Sequence, residues 1–192
     1  QVVIFDNLKT GYKSLINTKA KFVKGDILNI DLLKKVIKKN NFSTIIHLAS
    51  LIDVIESQKN KKKYFDNNVK GTLSVIKAIK NTSIKSFIFS SSAGVYGDIH
   101  KAAKETMQTK PINNYALTKL KSENLIKKYS KIYKFNYAIL RYFNVCGAST
   151  SKKIGIINKK NNSLFRVLAK QALRKNPIIN IFGNNFDTKD GT

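Results

Sequence analysis

The chain reads as an α/β fold, a parallel sheet with helices on both faces, and three observations lead there. Short apolar runs alternate with amphipathic stretches from residue 2 onward, and that alternation marks successive βα units. Within residues 64–80, apolar Val69, Leu73, Ile76 and Ile79 recur at helical spacing. Just beyond them, residues 85–90 read KSFIFS. A short apolar run closing in small polar residues is what a buried parallel strand shows where its C-terminal end meets a ligand crevice. The pattern is that of a Rossmann-like, doubly wound sheet.

The elements follow in order. Residues 2–5 (VVIF) and 21–24 (KFVK) predict strands, 31–39 (DLLKKVIKK) a helix, and 44–49 (TIIHLA) a strand. The helix over 64–80 leads into a strand at 87–90, and 114–133 predicts a long helix. Beyond it, 137–142 predicts a strand, 164–173 a helix, and 178–182 a strand entering a second, smaller part. A dinucleotide fold opens with a strand and a glycine-rich turn whose amides hold the pyrophosphate. No G-x-x-G-x-x-G occurs in this chain, and residue 1 is Gln. The pattern therefore starts one unit late.

At 192 residues the chain can bury one good core. Its longest apolar runs, such as STIIHLA and FNYAIL, have strand length, so no transmembrane segment is expected. One cysteine, Cys146, cannot form an internal disulfide; it suits a reducing compartment and is expected as a small core residue. The net charge of +25 raises a nucleic-acid reading. Against it, only Arg141, Arg166 and Arg174 could read bases bidentately, and the lysines are spread along the whole chain. The densest cluster, residues 59–63, is expected to be a solvated loop. A basic surface would still steer an anionic substrate toward its site.

Chemistry concentrates in SSSAGVYG, residues 90–97, followed 23 positions after Ser92 by Tyr115 and then by Lys119. Tyr115 and Lys119 stand i, i+4 on one helix face, so the ammonium could draw the phenol's pKa down from about 10 and make Tyr115 a general base. The pair alone is weak: with eight tyrosines and lysine at about one position in six, chance supplies roughly one such spacing. Context adds Ser92 at the end of the strand.

SSSAGVYG, NNYALTK, NYAILRYFNVCGA over 136–148 and IFGNNFDTKDGT over 181–192, in that order and spacing, resemble the UDP-galactose 4-epimerase family of extended short-chain dehydrogenases/reductases. The resemblance runs from Val2 to Thr192. Related 4,6-dehydratases carry an acidic pair after the serine or threonine of this strand; Ala93 and Gly94 offer none, which argues against elimination. An epimerase or decarboxylase of the UDP-glucuronate type keeps the same three catalytic residues, and a non-enzymatic basic binding protein stands as the third alternative.

The resemblance implies an isomerase of galactose metabolism, cytoplasmic and homodimeric when full length, that interconverts UDP-glucose and UDP-galactose with NAD. Tyr115 as phenolate would take the proton of the sugar 4-hydroxyl while hydride leaves C4 for NAD+; the 4-keto sugar turns over and hydride returns to its other face. Ser92 would bond the reacting oxygen, and Lys119 the nicotinamide ribose. The further NAD contacts implied are Asp6, Asn7, Asp26, Ile27, Leu48, Ala49, Asn67, Ser90, Tyr142 and Phe143. The UDP-hexose contacts implied, besides Ser92 and Tyr115, are Asn144, Asn162, Ser163, Leu164, Asn180 and Phe182. Asp6 alone could equally be a turn-forming aspartate. His47, inside IIHLA without an acid partner, reads as structural, and His100 as solvent-exposed. Ile52, Ser163 and Arg166 depart from residues common in the family. The resemblance also implies an NAD-binding domain over 1–150, the start of a substrate-binding region over 151–192, and about 25–30 residues upstream. Residues 1–192 alone are then expected to be inactive.

Overall fold

The computed structural model describes residues 1–99, 101–151, 154–155, 163–181, 183–189 and 191. The chain divides into two compact units, Gln1–Phe143 and Asn144–Thr192. In the first, β1 (Val3–Asp6) pairs in parallel with β2 (Lys21–Lys24). A second parallel sheet has the order β3-β4-β5, from Thr44–His47, Ser86–Ser92 and Asn136–Tyr142. The β1–β2 crossover holds a 3-10 turn, Lys13–Leu15, and from β2 onward helices join the strands: α1 (Ile30–Lys39), α2 (Val54–Lys59), α3 (Lys61–Tyr64), α4 (Gly71–Ala78) and α5 (Asn114–Tyr133). This is a Rossmann-like α/β fold. The β1-β2 pair and the β3-β4-β5 sheet are separate.

Local chemistry explains the helix limits. Asn29 caps α1 by accepting from the Leu32 amide at 3.0 Å, and Asp31 in the first turn with Lys38 and Lys39 in the last suit the helix dipole. α5 starts at Asn113, whose side chain accepts from the Ala116 amide at 2.8 Å, and ends at Lys134 in the left-handed region. The core lies between these helices and the β3-β4-β5 sheet: Phe87, Ile76 and Ile126 have no exposed surface, and Phe135 packs on Phe87.

Several expectations change. α2 stands where no element was foreseen; Asp53 caps it by accepting from the Glu56 amide at 2.7 Å, a spacing visible in DVIE. The lysine cluster at 59–63 is therefore not a loop, since it ends α2 and builds α3, though its lysines remain exposed. The helix foreseen over 64–80 is interrupted by a π-helical turn, Phe65–Lys70, which buries Asn68 and Val69. In the second unit, α6 (Leu164–Ala172) matches the helix foreseen there. Residues 178–181 form no strand, because among the described residues no neighbouring strand accepts their backbone. Cys146 is exposed and not a core residue.

β4 continues into a 3-10 turn, Ala93–Tyr96, that ends at Gly97 with φ +76°. A Cβ on Gly97 would collide with the Lys110 carbonyl oxygen, so the turn and the returning loop close together only around glycine. Gly97→Ala is expected to cost about 1–3 kcal/mol in urea denaturation. Gly94→Ala, whose added carbon would stand 3.4 Å from the Ala116 Cβ without a backbone collision, should cost less.

Candidate active site

β4 delivers Ser92 at its C-terminal end, and α5 begins beside it. The first turn of α5 is tied down by α2: the Tyr115 amide donates to Ser57 Oγ at 3.0 Å, and Asn114 Nδ2 to the Ser57 carbonyl at 3.0 Å. Ser92 Oγ accepts from the Gly94 amide at 3.1 Å, capping the 3-10 turn and leaving its own proton free to donate. Lys119 is buried and donates through Nζ to the Ser90 carbonyl at 2.8 Å. Nζ lies 5.1 Å from the Phe89 ring centre and 5.7 Å from that of Tyr115.

Burial sets both protonation states. It pushes the Lys119 ammonium down to about 8, leaving it mostly charged at neutral pH. It pushes the Tyr115 phenol up, and interaction with the Ser92 hydroxyl pulls the other way. The lowering foreseen from Lys119 is not found: the group that pulls the phenol down is the Ser92 hydroxyl, and burial outweighs it. Desolvation penalises phenolate, and the ammonium is directed at a carbonyl of β4 and not at the phenol oxygen.

A second cluster of foreseen residues lines one cleft of about 70 Å³ between the ends of β1 and β3. Asp6, Asn7, Ile27, Ala49 and Asn67 face it, with Phe5 and Gly25. Enclosed ligand sites run to about 300–1,000 Å³, so this cleft could hold only part of a dinucleotide. Asp6 Oδ1 accepts from the Leu8 amide at 2.6 Å, so the turn-forming role of this aspartate is real. Asp26 does not line the cleft but bonds two residues that do: Asn7 and Lys9, with the Leu28 amide, donate to its carboxylate, and the Leu28 amide foremost holds its pKa below the usual value. A carboxylate, carboxamides and small residues at the strand ends form a donor and acceptor set that fits an adenosine ribose.

Other foreseen residues stand apart from this cleft. Leu48 is 65% exposed and does not line it, and Ile52 is likewise exposed. Ser90 contributes its carbonyl, to Lys119. Tyr142 is the register partner of Ser92 across β4 and β5 and so lies beside it, and Phe143 is exposed. In the second unit, Asn144, Leu164 and Asn180 are exposed and Ser163 is half-buried. Asn162, Phe182 and His100 lie outside the described residues.

Residues 1–185 match the NAD dependent epimerase/dehydratase family. The chain belongs to that family. This epimerase/dehydratase chain is 38% identical over 193 residues to UDP-glucose 4-epimerase of Lactobacillus helveticus, a match covering all of the chain and 58% of that enzyme. A crystal structure of UDP-glucose 4-epimerase superposes with TM-score 0.91 at 36% identity, over 100% of the chain and 58% of that structure. That of Bifidobacterium longum UDP-glucose 4-epimerase, in complex with NAD+ and UDP, gives 0.89 at 31%, over 100% and 60%. The chain thus spans under two thirds of the relatives' length.

Three groups in the epimerase/dehydratase chain escaped the sequence reading or were set aside there. Asn68 joins the loop after β3 to α5: its side chain donates to the Leu51 carbonyl and to Thr118 Oγ1, each at 3.0 Å, and accepts from the Leu51 amide at 2.9 Å. Buried Glu123 takes two hydrogen bonds from Arg141, at 3.0 and 2.7 Å. One signal for Glu123 existed, its place one turn after Lys119 on the same helix face. His47 is buried between Phe87 and Phe89, with Nε2 at 3.0 Å from Thr72 Oγ1. The Thr72 hydroxyl itself donates to the Asn68 carbonyl, so Nε2 carries the proton and His47 is a neutral donor.

Burial first, then the charge of Lys119, push His47 down to about 3 from an ordinary 6.5. Between those values the unfolded chain binds the proton more readily. The contribution of neutral His47 is therefore complete above pH 6.5 and is lost as pH falls toward 3, by about 1.4 kcal/mol per pH unit. Denaturation at pH 6.5, 6.0 and 5.0 should record that slope, and His47→Gln, which can still donate to Thr72, should flatten it.

Proposed function

We propose that the complete gene product interconverts UDP-glucose and UDP-galactose by transient oxidation at sugar C4, with NAD as its cofactor. The observation that carries this reading is the convergence of Ser92, Tyr115 and Lys119 where β4 ends and α5 begins. A hydroxyl, a phenol and an ammonium at one strand end form a proton relay for an alcohol, and no carboxylate stands at Ala93 or Gly94 to drive elimination. The family match and the solved relative with NAD+ and UDP support the cofactor and the nucleotide.

Asp6, Asn7, Ala49 and Asn67 would hold the cofactor's adenosine end, Asp6 accepting from ribose hydroxyls. Bound NAD would supply reversible hydride acceptance at C4 and a positive charge that favours phenolate. Tyr115 accepts the proton of the 4-hydroxyl and later gives it back. Ser92, whose lone pair is engaged by the Gly94 amide, donates its proton toward the reacting oxygen and aligns it. Lys119, charged at neutral pH, would bond the nicotinamide ribose and favour the phenolate. Tyr142 and Phe143 would flank the nicotinamide. Asn144, Asn162, Ser163, Leu164, Asn180 and Phe182 are proposed for the nucleotide sugar. The same reading makes the complete protein a cytoplasmic homodimer in galactose metabolism.

A coupled assay for C4 inversion of UDP-galactose by the complete, NAD-loaded protein should be positive, and folded protein without inversion would refute the reading. Tyr115→Phe keeps the ring and removes the proton-accepting oxygen, so turnover should fall about 10²–10⁴-fold while NAD stays bound.

A further inference from the structure

Ser91 and Arg141 are register partners on neighbouring strands β4 and β5, and both reach the same carboxylate on α5. Ser91 Oγ donates to Glu123 Oε1 at 2.6 Å; Arg141 donates through Nε to Oε1 at 3.0 Å and through Nη2 to Oε2 at 2.7 Å. The Glu123 side chain is fully buried and that of Arg141 is 14% exposed. The guanidinium also stands 4.8 Å from the centre of the Tyr96 ring, in the 3-10 turn that Ser92 caps. One carboxylate therefore ties together two strands, the catalytic helix and the turn after Ser92.

We propose that Glu123 is a positioning residue for Ser92, Tyr115 and Lys119, its buried carboxylate locking α5 in one axial register against β4 and β5. Glu123 lies one helical turn beyond Lys119 and two beyond Tyr115, and its side chain leans back toward the helix N-terminus. α5 is continuous over that stretch, so holding Glu123 holds the other two. The neighbouring residues of β4 divide the work: the Ser90 carbonyl accepts from Lys119, Ser91 donates to Glu123, and Ser92 caps the turn that follows. A buried ion pair adds little net stability over a well-packed apolar replacement. What this one supplies is direction, through three hydrogen bonds of fixed geometry, and a shift of about 1 Å at a reacting centre can cost about 10²-fold in rate.

The inference rests on the proposed reading of the site, so the test includes Tyr115→Phe. In the complete, NAD-loaded protein, Glu123→Gln keeps the shape but removes the charge, and kcat should fall about 10–100-fold with KM for UDP-galactose changed less than about threefold. Ser91→Ala, which removes a single hydrogen bond, should lower kcat about 3–10-fold. Lys127→Ala removes an exposed ammonium 4.0 Å from Glu123 and should leave turnover unchanged.

A second readout is independent of catalysis: the Lys119 ε-amine, followed by 15N-lysine NMR, should titrate below the ordinary 10.5 in the parent, because it is buried, and move up in the Glu123 and Ser91 variants as it loses its seat. The groups facing that amine are the Ser90 carbonyl, the Phe89 and Tyr115 rings and neutral His47. Folded variants with kcat within twofold of the parent and an unmoved Lys119 overturn the proposal, as does a loss confined to thermal stability. If Glu123→Gln does not fold, Ser91→Ala and Arg141→Lys decide on the same criteria. Near-parental turnover in Tyr115→Phe would instead overturn the reading of the site itself.

Discussion

The packing of α5 on β4 is the constraint on which the rest depends. β4 alternates buried Phe87, Phe89 and Ser91 with half-buried neighbours, and the buried set changes character along the strand from apolar to polar. At its start Phe87 joins Ile126 and Phe135 in the core, where burying large side chains supplies most of the adhesion. Toward its end Phe89 lies near Lys119 and Ser91 bonds Glu123, so the same interface turns into a polar, directional contact. The apolar half holds the helix to the sheet, and the polar half sets where along the strand it sits.

Low polarity near that interface also governs the charges. The protein carries +25, yet its lysines lie mostly in solvent; among the described residues the buried lysine is Lys119. Burial lowers the pKa of that ammonium and raises that of the phenol one turn away, so desolvation works against the ionised form of each. His47, on the neighbouring strand and within reach of the Lys119 charge, is held neutral by the same effect. A site so arranged is poised for an added positive charge to favour phenolate, which is why the proposed chemistry depends on the cofactor as well as on the side chains.

Much of the fold was legible because its signals are local. The limits of β2 and α5 are those the apolar spacing and the turn residues predict, and α1, β1 and β3 differ from prediction by one or two residues. α2 was missed although its Asp53 cap is written in the chain, because six residues are too few for a helical period to emerge from the lysine-rich stretch around them. The π-helical turn at Phe65–Lys70 has no periodic signature; it is stabilised from outside, by Thr72 and Ser122 hydroxyls donating to the Asn68 carbonyl. Residues 178–181 have the apolar composition of a strand, but composition does not supply a partner for the backbone.

The sequence by itself determined the α/β class, the helix that carries Tyr115 and Lys119, and the strand that ends in Ser92. Each of these follows from residue spacing along one segment, and the order of motifs made the family legible as well. Only the tertiary structure decided that Asp6 and Asn67 share a cleft while Leu48 does not, that Lys119 seats on the Ser90 carbonyl, and that Ser91 and Arg141 meet on Glu123. Those facts depend on which segments pack together, in which register and at what depth. Burial, which arises only when distant segments exclude water from one another, is also what sets the protonation of Tyr115, Lys119 and His47.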